Sequence, residues 1–289
     1  IIGVNVAVAN AADGNILNIT TQDAVNANKT IEATNVKGPG HTAIGQQNQI
    51  YSISATEAEE SQGSSSAIGN QNVVKGEQAN AIGDGNDAYG HFTQSVGDDN
   101  KVYADHSLGY GAHNKVGAQR VIGTPEKDVV GKNVFVAGND NKITDTSTSN
   151  ATVIGFGATA SSANATAIGT AATALANETV AIGQAAKASG QNSNAYGSQA
   201  NASGTSSLAV GTGSVASGDS AVAIGNDSTV TGGSAVAIGA SATSTGKWST
   251  ALGDSANAKG EKSVALSKDS YAKDDNSVAL GSGTITRSA

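Results

Sequence analysis

A period of 14 residues constrains this chain more than any other feature of its sequence. A small or apolar pair followed by glycine recurs as Val153-Ile154-Gly155, Ala167-Ile168-Gly169, Ala181-Ile182-Gly183 and Ala195-Tyr196-Gly197. The series continues through Ala209-Val210-Gly211, Ala223-Ile224-Gly225, Ala237-Ile238-Gly239 and Ala251-Leu252-Gly253 to Ala279-Leu280-Gly281, with Ser267 the one replacement for glycine. A second punctuation falls seven residues after the first glycine, at Gly190, Gly204, Gly218, Gly232, Gly246 and Gly260. Fixed self-similarity of this kind is the mark of a stacked repeat. The unit reads as two half-repeats, each a short strand ended by a turn.

Period-two alternation assigns the faces. One side of the first half-repeat is bulky: Val180 with Ile182, Val222 with Ile224, Val236 with Ile238, Val264 with Leu266, Val278 with Leu280. The other side is small, as at Ala181, Ala223, Ala237 and Ala265. In the second half-repeat Ala186/Ala188, Ala200/Ala202 and Ala256/Ala258 are small as well. Between them runs a variable column, Thr159, Thr173, Lys187, Asn201, Val215, Thr229, Thr243, Asn257 and Tyr271, read as facing water.

Composition closes off a single round core. The chain has 289 residues with only 3 Phe, 6 Tyr and 1 Trp, no Met, and 37 Gly spread along its length. Few large side chains are available to offset the entropy of ordering the backbone. Stacked coils that pack Ala on Ala resolve this, each adding about 4.8 Å of rise. They leave the Val/Ile column as an apolar stripe, which in water invites aggregation. Association through the stripe under closed rotational symmetry hides it. Val180, Ile182, Val222, Ile224, Val236, Ile238, Val278 and Leu280 are therefore expected to form the core of an obligate homo-oligomer.

Upstream the period persists with different side chains. Gly69, Gly83, Gly97 and Gly111 are also 14 apart, and the third residue after each is Asn: Asn72, Asn86, Asn100 and Asn114. Asn48 and Asn141 have matching contexts. These amides are expected to fill an inner or turn position as a hydrogen-bonded ladder. The series is interrupted between Gly45 and Gly69 (Glu57, Glu59, Glu60), around Pro125 to Asp128 (including Lys127), and around Asp145 to Asn150. Insertions in solenoids project as loops. The domain reading is 1–40, a non-repeat segment capping the stack; 41–150, coils with Asn-bearing repeats and inserted loops; and 151–289, regular coils.

The formal charge is −8 and no Lys/Arg run occurs, so a nucleic-acid partner is not expected. With no cysteine there are no disulfides and no thiolate metal sites. No apolar stretch approaches the ~20 residues needed to span a bilayer. The chain begins without Met or a signal peptide and reads as a segment of something longer, anchored to a membrane only through parts lying elsewhere.

The unit SVAIG-x-x-A-x-A-x-G resembles the head repeats of YadA-like trimeric autotransporter adhesins, as in Ser220-Ala-Val-Ala-Ile-Gly225, Ser234-Ala-Val-Ala-Ile-Gly239 and Asn276-Ser-Val-Ala-Leu-Gly281. The match is strong over 151–283 and fair over 41–150. The resemblance implies an all-β, left-handed parallel β-roll (a β-solenoid) with three chains around one axis, forming a homotrimeric rod. It also implies a place on the bacterial cell surface beyond the outer membrane, at the tip of an anchored virulence fibre. Implied partners are host extracellular matrix proteins (collagen, fibronectin, laminin) or epithelial receptors, together with bacterial self-aggregation. In the family, collagen binding is associated with SVAIG-type repeats, which here are 220–225, 234–239 and 276–281. No catalysis and no cofactor are implied.

Other motifs weigh little against this reading. His41, His91, His106 and His113 lie at different offsets from their repeat glycines, so neither a metal ladder nor a catalytic His is expected; they read as surface decoration. Gly83-Asp-Gly-Asn-Asp87 and Gly97-Asp-Asp-Asn100 share residue types with calcium-binding turns, but turn chemistry accounts for them. Trp248, beside Lys247 in a turn, either anchors a partner or packs on the next coil or protomer. The candidate ligand surface comprises Glu57, Glu59, Glu60, Lys127, Asp128, Lys187, Trp248, Ser220 and Ser234. Two alternatives fit less well. A β-solenoid enzyme of the hexapeptide acyltransferase kind needs a coil of about 18 residues and a catalytic His. An ice-binding solenoid needs a uniform Thr array, and the outward column contains Lys187, Asn201, Val215 and Tyr271.

Overall fold

The computed structural model describes residues 4–11, 14–21, 35–36, 41–50, 64–117, 132–143 and 148–286. They form two compact units, Ile1–Asn150 and Ala151–Ala289. Both are all-β stacks of parallel coils, a β-solenoid with a 14-residue stagger.

In the second unit the first coil has a five-residue strand, Thr152–Phe156, and each later coil up to Tyr271 contributes a three-residue strand, such as Val180–Ile182, and a two-residue strand, such as Lys187–Ala188. The longer strands pair only with one another, Val180 with Asn194 and Ile182 with Tyr196, and the shorter strands do the same, Lys187 with Asn201. Two parallel sheets result, and the core is the thin layer between them. Ala181, Ala186, Ala188, Ala223 and Ala258 are fully buried there. Alternation along the strand puts the small residue inside, so the sheets approach closely and no large side chain is needed.

The period has a steric cause. Gly183 sits at φ +136°, and a Cβ there would lie 2.4 Å from the carbonyl oxygen of Gly197, one coil on. Ser267 occupies the equivalent place at φ +101°. Each coil also turns through two left-handed corners, such as Ala185 (φ +53°) and Asn192 (φ +58°). Even these are laddered: the Ala185 N–H donates to Thr170 O (2.8 Å) and the Asn192 N–H to Asn177 O (3.0 Å).

The first unit follows the same plan with a longer first strand, five residues at Asn80–Asp84, beside the two-residue Asp87–Ala88. Pairing crosses the interruptions without losing phase. Gly45 faces Gly69, and Gly111 faces Gly138, despite the extra residues between them. All three interruptions leave the stack at one kind of corner, after a strand of the second sheet: Gln49–Ile50, Lys115–Val116 and Lys142–Ile143. Residues 1–40 carry more order than their lack of the glycine repeat conveys. Val4–Ala11 and Gly14–Thr21 form an antiparallel pair, and Asn35–Val36 pairs in parallel with Gln49–Ile50, extending the second sheet before residue 41.

Candidate association seam and ligand surface

The outer face of the longer strands in the second unit carries two columns. Parallel register aligns Ile154, Ile168, Ile182, Tyr196, Val210 and Ile224 side by side, then Ile238, Leu252, Leu266 and Leu280. Two residues earlier stand Thr152, Thr166, Val180, Asn194, Leu208, Val222, Val236, Thr250, Val264 and Val278. Val180, Ile182, Val222, Ile224 and Val236 are half-buried, whereas Ile238 is 38% exposed, Val278 60% and Leu280 69%. All eight residues expected at an oligomer core thus lie on this one face. Sequence reasoning passed over its one amide-bearing layer, Asn194 with Tyr196, legible as a break in the Val/Ile pattern.

The column read as facing water is less open than expected. Only Lys187 is exposed; Thr159, Thr173, Asn201, Val215, Thr229, Thr243, Asn257 and Tyr271 are half-buried. Neighbouring coils about 4.8 Å away on either side cover much of each side chain.

The Asn column of the first unit is an inner ladder, as anticipated. Asn48, Asn72, Asn86, Asn100, Asn114 and Asn141 are buried. The Asn86 Nδ2 donates to Asn72 Oδ1 (3.1 Å), Ile82 O (3.1 Å) and Gly97 O (2.7 Å). Asn86 Oδ1 accepts from the N–H (3.2 Å) and Nδ2 (3.1 Å) of Asn100. In the second unit Ala or Ser takes this place and its N–H turns to its own coil, as from Ala186 to Gly183 O (3.3 Å) and Ser214 to Gly211 O (3.3 Å). The two units satisfy the same backbone donor in different ways. The Asn solution accompanies the longer first strand.

Among the candidate ligand residues, Ser220, Ser234 and Trp248 form a single exposed column at the corner between the second strand of one coil and the first strand of the next. The Ser234 N–H donates to Asp219 O (2.7 Å), the Trp248 N–H to Gly233 O (3.0 Å) and the Lys262 N–H to Lys247 O (2.8 Å). Trp248 is 46% exposed. Its φ of +59° is unusual for a bulky residue, costing about 1–2 kcal/mol. Lys247 Nζ lies 4.0 Å and Lys262 Nζ 5.3 Å from the ring centroid. Two exposed cation–π contacts return about 0.5–1 kcal/mol each, a sum comparable to the backbone cost. Lys187 lies apart, on the outer face of the second sheet. Glu57, Glu59, Glu60, Lys127 and Asp128 lie outside the described residues.

One expectation about the histidines fails. His41 is buried, not surface decoration, because its offset of four before Gly45 is an inner column shared with Ser65, Ala79 and Thr93. Its Nδ1 accepts from the Ser65 N–H (3.1 Å), and burial lowers its pKa from 6.5. The others lie at corners: His91 Nδ1 is 3.7 Å from Glu77, His106 stacks on Phe92 at 5.0 Å, and His113 Nδ1 is 3.8 Å from Asp140. Half-buried Asp87 accepts from the Tyr103 hydroxyl (3.4 Å), and burial pushes both groups' pKa values up. Among the described residues, no three His, Cys, Asp or Glu side chains are grouped so as to hold a metal ion.

The family model of the YadA head domain repeat (2 copies) matches residues 149–172, 174–200, 188–214, 202–228, 216–242, 231–253, 244–266 and 268–284. Residues 149–284 are a YadA-like head domain. No match was found among curated proteins. Successive windows within 174–242 start 14 residues apart, which is the stagger of the strand pairs, so the YadA-like head repeats in sequence and in space with one period.

Proposed function

We propose that this YadA-like head is the adhesive part of a homotrimeric bacterial surface fibre, displayed beyond the outer membrane and without catalytic activity. Its partners are host matrix proteins (collagen, fibronectin or laminin) or epithelial receptors, and it brings bacterial cells together. The observation that carries the trimer is the aliphatic column from Ile154 to Leu280, half-open along its length while the alternate Ala residues are sealed. Full burial of such a side chain is worth roughly 1.5–3 kcal/mol. About half of that is still available at each coil and is gained by sharing the column with two further copies.

The ligand surface is assigned to the corner column of Ser220, Ser234 and Trp248, with Lys187 and the segments bearing Glu57, Glu59, Glu60, Lys127 and Asp128 as further contacts. Support comes from the first unit, where every interruption exits at this kind of corner. A position that accepts extra residues is one that no neighbouring protomer needs. The test is Ile224→Asp combined with Ile238→Asp, which puts charges on the shared axis. Light scattering should show monomers; a wild-type mass would refute the seam. Deleting residues 51–62 should lower host-cell attachment if that segment carries adhesion, and unchanged attachment would assign it to the coil surface.

A further inference from the structure

We propose that the corner around Trp248 binds an anionic saccharide, a pyranose ring bearing a carboxylate or sulfate. This rests on the adhesin reading and gives it a ligand class.

The residue at this corner must adopt a left-handed backbone, and neighbouring coils fill it with polar side chains, short at Asn192, Ser206, Ser220, Ser234 and Asn276 and longer at Glu178 and Lys262, all at φ between +55° and +58°. Trp248 departs from that rule while leaving nearly half its surface in water. Its cation–π contacts do no more than balance the backbone, so packing within the coil does not account for it. An exposed indole face is the side chain best suited to the C–H face of a sugar ring, which is flat, weakly polar and poorly bound by charge alone.

The charges around it select the sugar. Lys247 and Lys262 hold their ammonium groups over the Trp248 ring, 4.0 Å and 5.3 Å from its centroid, so an anionic group drawn to them lies beside the indole. Lys262 is paired with Glu261 at 3.1 Å. Lys247 has no carboxylate partner among the described residues, so one cation at this corner is free to take an anion. In the coil before, the corner holds only Gly233 and Ser234. A Cβ built on Gly233 would meet nothing closer than Asp219 O at 3.9 Å and Lys247 Cγ at 4.0 Å, so no side chain crowds the indole from that coil. The Ser234 and Ser220 hydroxyls continue the column and can bond sugar hydroxyls. Sialylated glycans and the uronate or sulfate units of glycosaminoglycans share this chemistry.

Trp248 is the only tryptophan in the chain, so intrinsic fluorescence reports this corner alone. The assembled full chain is titrated with 3′-sialyllactose, a heparin-derived tetrasaccharide and neutral lactose. A saturable emission change with one anionic saccharide and none with lactose is expected, the responding saccharide naming the source. Lys247→Gln should weaken it at least about tenfold. Trp248→Ser, which installs the residue of the preceding coil, should abolish binding by calorimetry while leaving the melting temperature and oligomer mass unchanged. Silence towards both anionic saccharides, an equal response to lactose, or a Trp248 that acrylamide cannot quench in the assembled protein would overturn the proposal. Host-cell attachment by Trp248→Ser at wild-type level, alongside any of these, leaves the adhesin reading standing and removes only the saccharide site.

Discussion

Replacing Asn86 by Ala tests the inner amide ladder, because Ala is one of the two residues, with Ser, that most coils of the second unit use at the same place. The substitution removes the Nδ2 bonds to Asn72 Oδ1, Ile82 O and Gly97 O, and takes the acceptor from the N–H and Nδ2 of Asn100. A net hydrogen bond is worth about 1 kcal/mol, and a stranded buried donor costs about 1–3 kcal/mol. Two hydrogens on Nδ2 serve three acceptors, so they count as two bonds. Together with the orphaned Asn100 N–H this gives about 3 kcal/mol. The second unit shows an escape: the Asn100 N–H can turn to Gly97 O as Ala186 does to Gly183 O (3.3 Å), which lowers the loss to about 2 kcal/mol. Coils that contact only their neighbours open locally, so hydrogen exchange is the suitable assay. Amides of residues 72–100 should exchange roughly 30- to 150-fold faster, at 1.4 kcal/mol per decade. Exchange within twofold of wild type at those amides would show that the ladder holds nothing together.

Ser267→Gly should stabilise the second unit by about 1 kcal/mol and raise its melting temperature, since φ +101° strains any residue with a Cβ. A lower melting temperature would refute that account. Buried His41 makes the first unit acid-sensitive. Its folded pKa lies below the unfolded 6.5, so its contribution is complete above that pH and is lost as pH falls through 6.5 towards the folded value. Urea denaturation at pH 7.5 and pH 5.5 should show a loss that His41→Ser, borrowing the Ser65 solution, removes; an undiminished loss in the variant would clear His41.

The coil, its period and its two faces were legible because each is enforced by a single steric demand repeated many times. Gly183 has no room for a Cβ, and the inner column through Ala181 is filled by small side chains. The Asn ladder was legible for the same reason. What escaped notice was which residues share the offset of a single unusual one. His41 shares its offset with Ser65 and Ala79, and counting 14 onward from Trp248 reaches Lys262. Neither pairing is visible in a local window. The hairpin of Val4–Ala11 and Gly14–Thr21 lacks the glycine period, but it has its own signal in Asp13-Gly14, a turn dipeptide between alternating apolar residues. Sampling for one period hid another.

The interruptions leave at one kind of corner, and Gly45 still faces Gly69 and Gly111 still faces Gly138 across two of them, which separates inserted sequence from what holds the stack up. The ends of each excursion are pinned by ladders that exist without it, and doubling a loop's length costs only about 0.6 kcal/mol in closure entropy. Inserted sequence is therefore free to lengthen or be exchanged while the scaffold stays still. The same corner offers a place to graft foreign epitopes.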